Sequence, residues 1–183
     1  VLEAALKRMG FTCNRLPFGA GDSGRDARVD NLYARLGSGR PHFCFAGHTD
    51  VVPPGDNAKW SLDPFAGEIR DGQLWGRGAA DMKGAIAAFV TAADAFLRAK
   101  GGAFKGSISL LITGDEEGPA VHGTKAVLEA LAKEGETFEH VIMGEPTCAQ
   151  TMGDMLKQGR RGSMNGTIRV RGSQGHVAYP ERF

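Results

Sequence analysis

The chain has 183 residues, 42% of them hydrophobic, and a formal net charge of +1 from 22 Lys and Arg against 21 Asp and Glu. This length and composition indicate a folded domain with a core and exclude a disordered segment. Charge is nearly balanced and no long basic run is present, which argues against a nucleic-acid partner. Apolar runs stay well below the roughly 18 residues of a membrane span, and the N-terminus lacks a signal-peptide pattern. We therefore expect a cytoplasmic protein with no membrane contact.

Helical periodicity predicts a helix at the start of the chain, within residues 1–10, and two more at 83–98 and 124–133. Short apolar or β-branched runs bounded by glycine predict strands at 11–16, 31–36, 41–46, 107–113 and 140–143. Strands separated by helices favour an α/β domain with a mostly parallel sheet. Near the end, Ile168 and Val170 alternate with Arg169 and Arg171, which predicts a half-solvated strand in a second, small domain that begins near Gly159.

Three predicted strands end in acidic residues or histidine, and a fourth acidic residue precedes the helix at 83–98. In open parallel α/β sheets, ligands bind beyond the carboxyl ends of the strands, so we expect these side chains to converge. A carboxylate before a helix also lies where backbone amides favour an anion. The residues concerned are His48 and Asp50, Asp115, Glu116 and Glu117, Glu145, and Asp81 before the helix.

One imidazole and several carboxylates at one point repel each other unless a multivalent cation lies among them. Nitrogen and oxygen ligands together suit zinc, with cobalt or manganese as alternatives, and shared carboxylates favour a pair of ions. Taken singly, each group also has a structural interpretation as a core histidine, a turn, a helix cap or a solvated loop. Their combination favours a metal site. The other residues with metal-binding side chains lack acidic neighbours of this kind; we interpret them as structural histidines and as reduced core thiols, namely His42, His122 and His140, and Cys13, Cys44 and Cys148.

The motifs resemble those of the dinuclear-zinc aminoacylase and carboxypeptidase-type hydrolases, in the same order and over nearly the whole chain. They are His48-Thr49-Asp50, Gly76-Arg77-Gly78 with Asp81-Met82-Lys83-Gly84, Asp115-Glu116-Glu117-Gly118 and Gly144-Glu145-Pro146. The resemblance implies a three-layer zinc-peptidase-like catalytic domain over 1–158 and the start of a small α+β lid and dimerisation domain over 159–183. Within the family, the runs 159–163 and 175–180 are similar to members that remove an N-succinyl group. Deacetylases and dipeptidases share the metal motifs, so the acyl group stays open.

The resemblance also implies a role for each residue. His48 binds the first metal, Asp81 bridges both, Glu145 completes the first site and Glu117 serves the second. Glu116 is the general base, and the carboxylate of Asp50 accepts a hydrogen bond from the second nitrogen of His48. The peptide bond after Asp81 is expected to be cis. Two Zn²⁺ per subunit are implied, with Co²⁺ possible.

Further roles implied by the resemblance concern substrate and partner. His176 donates to the oxyanion across a homodimer, and Arg160, Ser163 and Tyr179 contact a small N-acyl amino-acid substrate. Without the resemblance, two interpretations of each residue stay open and have about equal weight: His176 is either functional or an exposed loop residue, and Arg160 and Arg161 are either functional or solvated surface charges. The family's second metal site takes a histidine from farther along, beyond Phe183. We therefore expect an N-terminal piece of a longer enzyme that binds one metal well and turns over poorly.

Two other classes of function stay open. An inactive metal-binding protein of the same fold would share the ligands, although it would have no need of Glu116. A nucleotide-binding protein would use the glycine-rich turns, but no Gly-x-Gly-x-x-Gly motif follows a strand and no Gly-Lys-Ser/Thr loop occurs.

Overall fold

The computed structural model describes residues 1–157, 162, 164 and 166–179. Contacts divide the chain into two units, Val1–Pro146 and Thr147–Phe183, and each is described by itself. The domain boundary that the sequence predicts near Gly159 falls outside the described residues and stays a prediction.

The first unit alternates helices and strands, as the sequence predicts. Their bounds are α1 Leu2–Arg8, β1 Thr12–Phe18, β2 Val29–Leu36, β3 His42–His48, β4 Glu68–Arg70, β5 Gln73–Trp75, α2 Gly84–Ala99, β6 Ser107–Thr113, α3 Thr124–Lys133 and β7 His140–Met143. The predicted bounds of β6, α3 and β7 are confirmed, and those of the other predicted elements differ by one or two residues at their ends. The β4–β5 hairpin was not predicted from the sequence, because both of its strands are three residues long and exposed on both faces.

The five-stranded sheet has the order β1-β2-β6-β3-β7. β3 pairs in parallel with both β6 and β7, whereas β2 is antiparallel to β6 and to β1. Only β2 therefore runs against the others, which confirms the mostly parallel sheet. In the β3–β6 register His48 lies opposite Thr113, so the segments that follow these strands start at the same edge of the sheet.

The core lies on both faces of β6, whose sequence Ser-Ile-Ser-Leu-Leu-Ile-Thr is almost entirely buried. Because side chains alternate along a strand, Leu110 packs on one face with Ile86 of α2, and Leu111 packs on the other with Val127 of α3. Leu6 of α1 joins the first of these clusters. The result is a helix–sheet–helix arrangement, and this confirms the α/β fold class.

The second unit is irregular in the part that the structure describes. Residues 166–176 contain no strand, and Ile168 and Val170 are 92% and 89% exposed. The predicted half-solvated strand is therefore wrong for these residues. A strand needs a neighbour for its backbone hydrogen bonds and a surface on which to bury one face, and alternation alone provides neither.

Two smaller findings concern cysteines and helices. All three cysteines are free, as expected, but only Cys44 is buried in the core; Cys148 is exposed, so its interpretation as a core thiol is wrong. None of the helices described here is long and apolar enough to cross a membrane.

Candidate metal centre

The predicted metal-ligating side chains meet at the carboxyl edge of the sheet. Nε2 of His48 lies 3.1 Å from Oδ1 of Asp81 and 3.9 Å from Oε1 of Glu145. Ligand atoms of His48, Asp81 and Glu117 lie within 4.8 Å of one another, as do those of His48, Glu116 and Glu145. The convergence that strand topology predicts is therefore present among these five residues.

Each side chain reaches this point from a different element. His48 is the last residue of β3 and is buried. Glu116 and Glu117 follow β6, and Glu145 follows β7. Asp81 lies in a short helical turn, Ala79–Lys83, that leads into α2; its backbone leaves helical geometry at φ −112° and ψ 95°, and the bond to Met82 is cis, as the resemblance implies.

The imidazole of His48 is oriented by Asp50, although through a different atom from the one predicted. Nδ1 lies 2.9 Å from the backbone carbonyl oxygen of Asp50 and 3.5 Å from its carboxylate. Donation from Nδ1–H to the carbonyl leaves the Nε2 lone pair directed at Asp81, which is the tautomer that a metal ligand needs. The prediction that the carboxylate accepts this bond is wrong, because Oδ2 instead accepts the backbone N–H groups of Glu116 and Glu117, both at 2.9 Å.

The electrostatics of the cluster follow from burial and crowded negative charge. Burial by itself lowers the pKa of His48, but the hydrogen bond to the Asp50 carbonyl and the charges of Asp50 and Asp81 outweigh it, so the pKa is raised. Burial raises the pKa of Glu117, and the neighbouring charges of Asp81 and Glu116 raise it further. Both shifts have the direction expected where negative charge is in excess.

These residues fit a divalent metal. One imidazole nitrogen and several carboxylate oxygens form the donor set that zinc takes in hydrolytic sites. Asp50 Oδ1 is moreover a buried oxygen without a hydrogen-bond partner, which adds to the negative potential beside His48. The geometry groups Glu116, rather than Asp81, with His48 and Glu145. The division of ligands between two ions therefore stays a prediction.

The remaining predicted site residues lie outside the first unit. Arg160 and Ser163 lie outside the described residues. His176 and Tyr179 belong to the second unit, where their ring centroids are 5.8 Å apart and His176 Nδ1 accepts the N–H of Ala178. Their roles toward substrate and oxyanion stay predictions.

Of the remaining histidines, His42 is built into the core at the other end of β3. Its Nε2 lies 2.8 Å from the hydroxyl of Ser109 and its Nδ1 2.8 Å from the carbonyl of Thr137. This supports its structural interpretation.

Two buried polar residues behind the cluster, Asn31 and Thr113, were not predicted from the sequence, and Asp115, which was expected to join the cluster, lies behind it with them. All three are less than 7% exposed and hydrogen-bond to one another or to the segment that carries Glu116 and Glu117. The available signal was a polar residue at the end of an otherwise apolar strand, which is weak for a single residue.

Residues 44–179 match the model of peptidase family M20/M25/M40. The chain belongs to this family. Curated relatives include the succinyl-diaminopimelate desuccinylases of Maricaulis maris, 63% identical over 100% of this chain, and of Parvibaculum lavamentivorans, 61% identical over 98%. The chain spans 44% of the length of each of these two relatives.

Two solved structures share the fold. Human carnosine dipeptidase 1 superposes with a TM-score of 0.67 and 28% identity, over 79% of this chain and 31% of that protein. A metallo-carboxypeptidase of the M20 family from Sulfolobus solfataricus superposes with a TM-score of 0.62 and 23% identity, over 79% and 31%. The second likeness supports the fold alone.

Proposed function

We propose that the whole protein is a metal-dependent amide hydrolase that cleaves N-succinyl-LL-2,6-diaminopimelate to succinate and LL-2,6-diaminopimelate, a step of lysine and diaminopimelate biosynthesis. Support for the substrate comes from relatives with 57–63% identity that are named succinyl-diaminopimelate desuccinylase. Support for the chemistry comes from the site. The observation that carries it is the position of Glu116 within 4.8 Å of the ligand atoms of His48 and Glu145.

The metal would be held by His48, Asp81, Glu117 and Glu145. When bound, a divalent ion polarises a substrate carbonyl and makes water more acidic. The chain's own contribution begins with orientation, since the Asp50 carbonyl fixes the imidazole of His48. We propose zinc, two ions per subunit, with the second site completed from outside this chain.

Glu116 would act as the general base. Its carboxylate takes a proton from water as the water oxygen attacks the succinyl amide carbon, and it returns that proton to the amine nitrogen as the C–N bond breaks. Succinate and a free amine leave, and Glu116 is again ionised. Its backbone N–H is held by Asp50 Oδ2 at 2.9 Å, so the base starts from a fixed position.

The other parts of the proposal concern residues that the first unit does not contain. His176 would donate a hydrogen bond to the developing oxyanion from the partner of a homodimer, and Arg160, Ser163 and Tyr179 would bind the substrate's carboxylates. A cytoplasmic location completes the proposal.

Glu116→Gln tests the role of the base. In the whole protein the substitution keeps size and hydrogen-bonding capacity but removes the basic carboxylate, so we expect kcat to fall by about 10²–10⁴-fold. Zinc content should stay unchanged, because Glu116 has no assigned ligand role. Glu129→Gln is the matched control, since Glu129 is exposed on α3 and should leave both quantities unchanged.

The assay measures succinate release and zinc per subunit. Full activity in Glu116→Gln would refute the general-base role, and absence of zinc from the wild-type protein would refute the metal site. A preference for acetylated amino acids or dipeptides would keep the hydrolase and replace the substrate. The 183-residue chain alone should hold about one zinc and release succinate slowly.

A further inference from the structure

The residues between β6 and α3, 114–123, carry both Glu116 and Glu117 and form no regular structure beyond bends. We call this segment the acidic loop. Catalytic geometry needs a loop of this kind to be held rigidly, because a displacement of about 1 Å at a reacting group lowers rates by roughly 100-fold. What holds the acidic loop in place is therefore relevant to the proposed chemistry.

Asn31 on β2 contacts both ends of the acidic loop. Its Oδ1 accepts the hydroxyl of Thr113 at 2.9 Å and the backbone N–H of Gly114 at 3.3 Å. Its Nδ2 donates to the carbonyl of His122 at 2.9 Å and to that of Leu16 at 2.9 Å. The side chain of Asn31, 1% exposed, thereby joins the beginning of the loop to its end and both to β1.

The interior of the acidic loop is closed by Asp115. Its carboxylate accepts the N–H groups of Ala120, Val121 and His122 at 2.8–3.0 Å, and its own N–H donates to the hydroxyl of Thr113. The closure leaves no room at Gly123, where a Cβ would lie 2.4 Å from the Asp115 carbonyl oxygen. The loop is thus a closed ring of hydrogen bonds whose two ends meet at Asn31.

We propose that Asn31 is a positioning residue for Glu116 and Glu117. It touches neither ligand atoms nor the proposed base, and it acts by fixing the loop that presents them. The proposal rests on the proposed function for its catalytic consequence. Its structural consequence, a loop that opens when Asn31 is removed, does not depend on any reaction.

Asn31→Ala removes all four side-chain hydrogen bonds. In the metal-free 183-residue chain we expect the backbone amides of the acidic loop to exchange with solvent about tenfold faster or more, because the closed ring is broken. In the whole protein we expect kcat to fall by about 100-fold while KM stays within about threefold. Hydrogen–deuterium exchange and steady-state kinetics measure the two effects.

Tyr33→Phe is the matched control. Tyr33 is buried on the same strand. Its hydroxyl donates to Oε2 of Glu136 at 3.3 Å and not to the acidic loop. We expect hydrogen exchange of the acidic loop and kcat in Tyr33→Phe to equal those of the wild type. If Asn31→Ala does not fold, Thr113→Val tests the proposal instead, because it deletes the hydroxyl that bonds to both Asn31 and Asp115. Thr113→Ser keeps this hydroxyl and should restore slow exchange of the acidic loop and wild-type kcat.

The outcomes separate the two proposals. Acidic-loop exchange that is the same in the wild type, in Asn31→Ala and in Thr113→Val overturns the positioning role, as does a kcat within about threefold of wild type. If the wild-type whole protein hydrolyses no N-acyl amino acid, the proposed function fails, and faster exchange in Asn31→Ala still establishes the anchoring.

Discussion

Asp50→Asn distinguishes two ways in which Asp50 can serve the site. The carboxylate binds two backbone N–H groups, those of Glu116 and Glu117, whereas the carbonyl binds His48. Asparagine keeps the carbonyl and the shape of the side chain but replaces a charged acceptor with a neutral one. We therefore expect the acidic loop to loosen while the imidazole keeps its tautomer.

The magnitude follows from the two weakened bonds. A hydrogen bond to a charged group contributes about 1.5–3 kcal/mol and a neutral one about 1 kcal/mol, so two bonds together lose about 1–4 kcal/mol. The Asp50 side chain is 21% exposed, which favours the lower half of this range. We expect the free energy of unfolding of the metal-free chain to fall by about 2 kcal/mol.

Urea unfolding of the metal-free chain measures this loss, and ¹⁵N NMR of the His48 ring reports its tautomer. Leu74→Ala is a control for substitution as such, because Leu74 is exposed in β5. An Asp50→Asn chain as stable as the wild type would show that the two N–H bonds contribute little. A switch of the His48 tautomer would show that the carboxylate, and not the carbonyl, orients the ring.

Two further predictions concern stability. Leu110→Ala in the centre of β6 removes a side chain that is fully buried, and we expect a loss of about 2–5 kcal/mol in urea unfolding. His42 gives the pH dependence: burial lowers its pKa below the usual 6.5, so the unfolded chain takes up the proton first and stability falls as pH drops below about 6.5. The raised pKa values of His48 and Glu117 act in the opposite direction in both chains, so we expect the free energy of unfolding of the wild type, relative to that of His42→Gln, to decrease between pH 7.5 and 5.5.

Each of these has its contradicting result. A loss below about 1 kcal/mol for Leu110→Ala would mean that the core collapses around the deletion. Equal pH slopes in the wild type and in His42→Gln would mean that His42 takes up protons equally well in the folded and unfolded chains.

The fold was largely predictable because its main signals are strong. β6 and β7 are apolar runs bounded by glycine or charge, and the apolar stripe of α3 has helical spacing, so their bounds followed from periodicity. The β4–β5 hairpin could not be found in this way, since neither of its faces is buried. The predicted strand around Ile168 is wrong for a related reason. Alternating apolar and charged residues form a strand only where another element covers the apolar face.

The metal-ligating residues were predictable from strand ends, because parallel topology brings carboxyl ends together whatever the side chains are. The hydrogen bonds that support them were not. Whether His48 bonds to the carbonyl or to the carboxylate of Asp50 depends on the local path of the backbone, which residue types do not specify. The contact of Asn31 with the acidic loop could not be predicted either. Asn31 is distant in sequence from Glu116, and the register between β2 and β6 that brings it to the loop was not known.

β7 is one of the two edge strands of the described sheet. It hydrogen-bonds to β3 alone among the described strands, and Val141, Ile142 and Met143 are each at least half exposed. Glu145 follows this strand, whereas His48 ends the neighbouring β3. An ion that binds both residues therefore ties the edge strand to its neighbour, and part of its binding free energy appears as resistance of β7 to fraying. We expect metal removal to cause local unfolding of β7 first, before any change in the central strands.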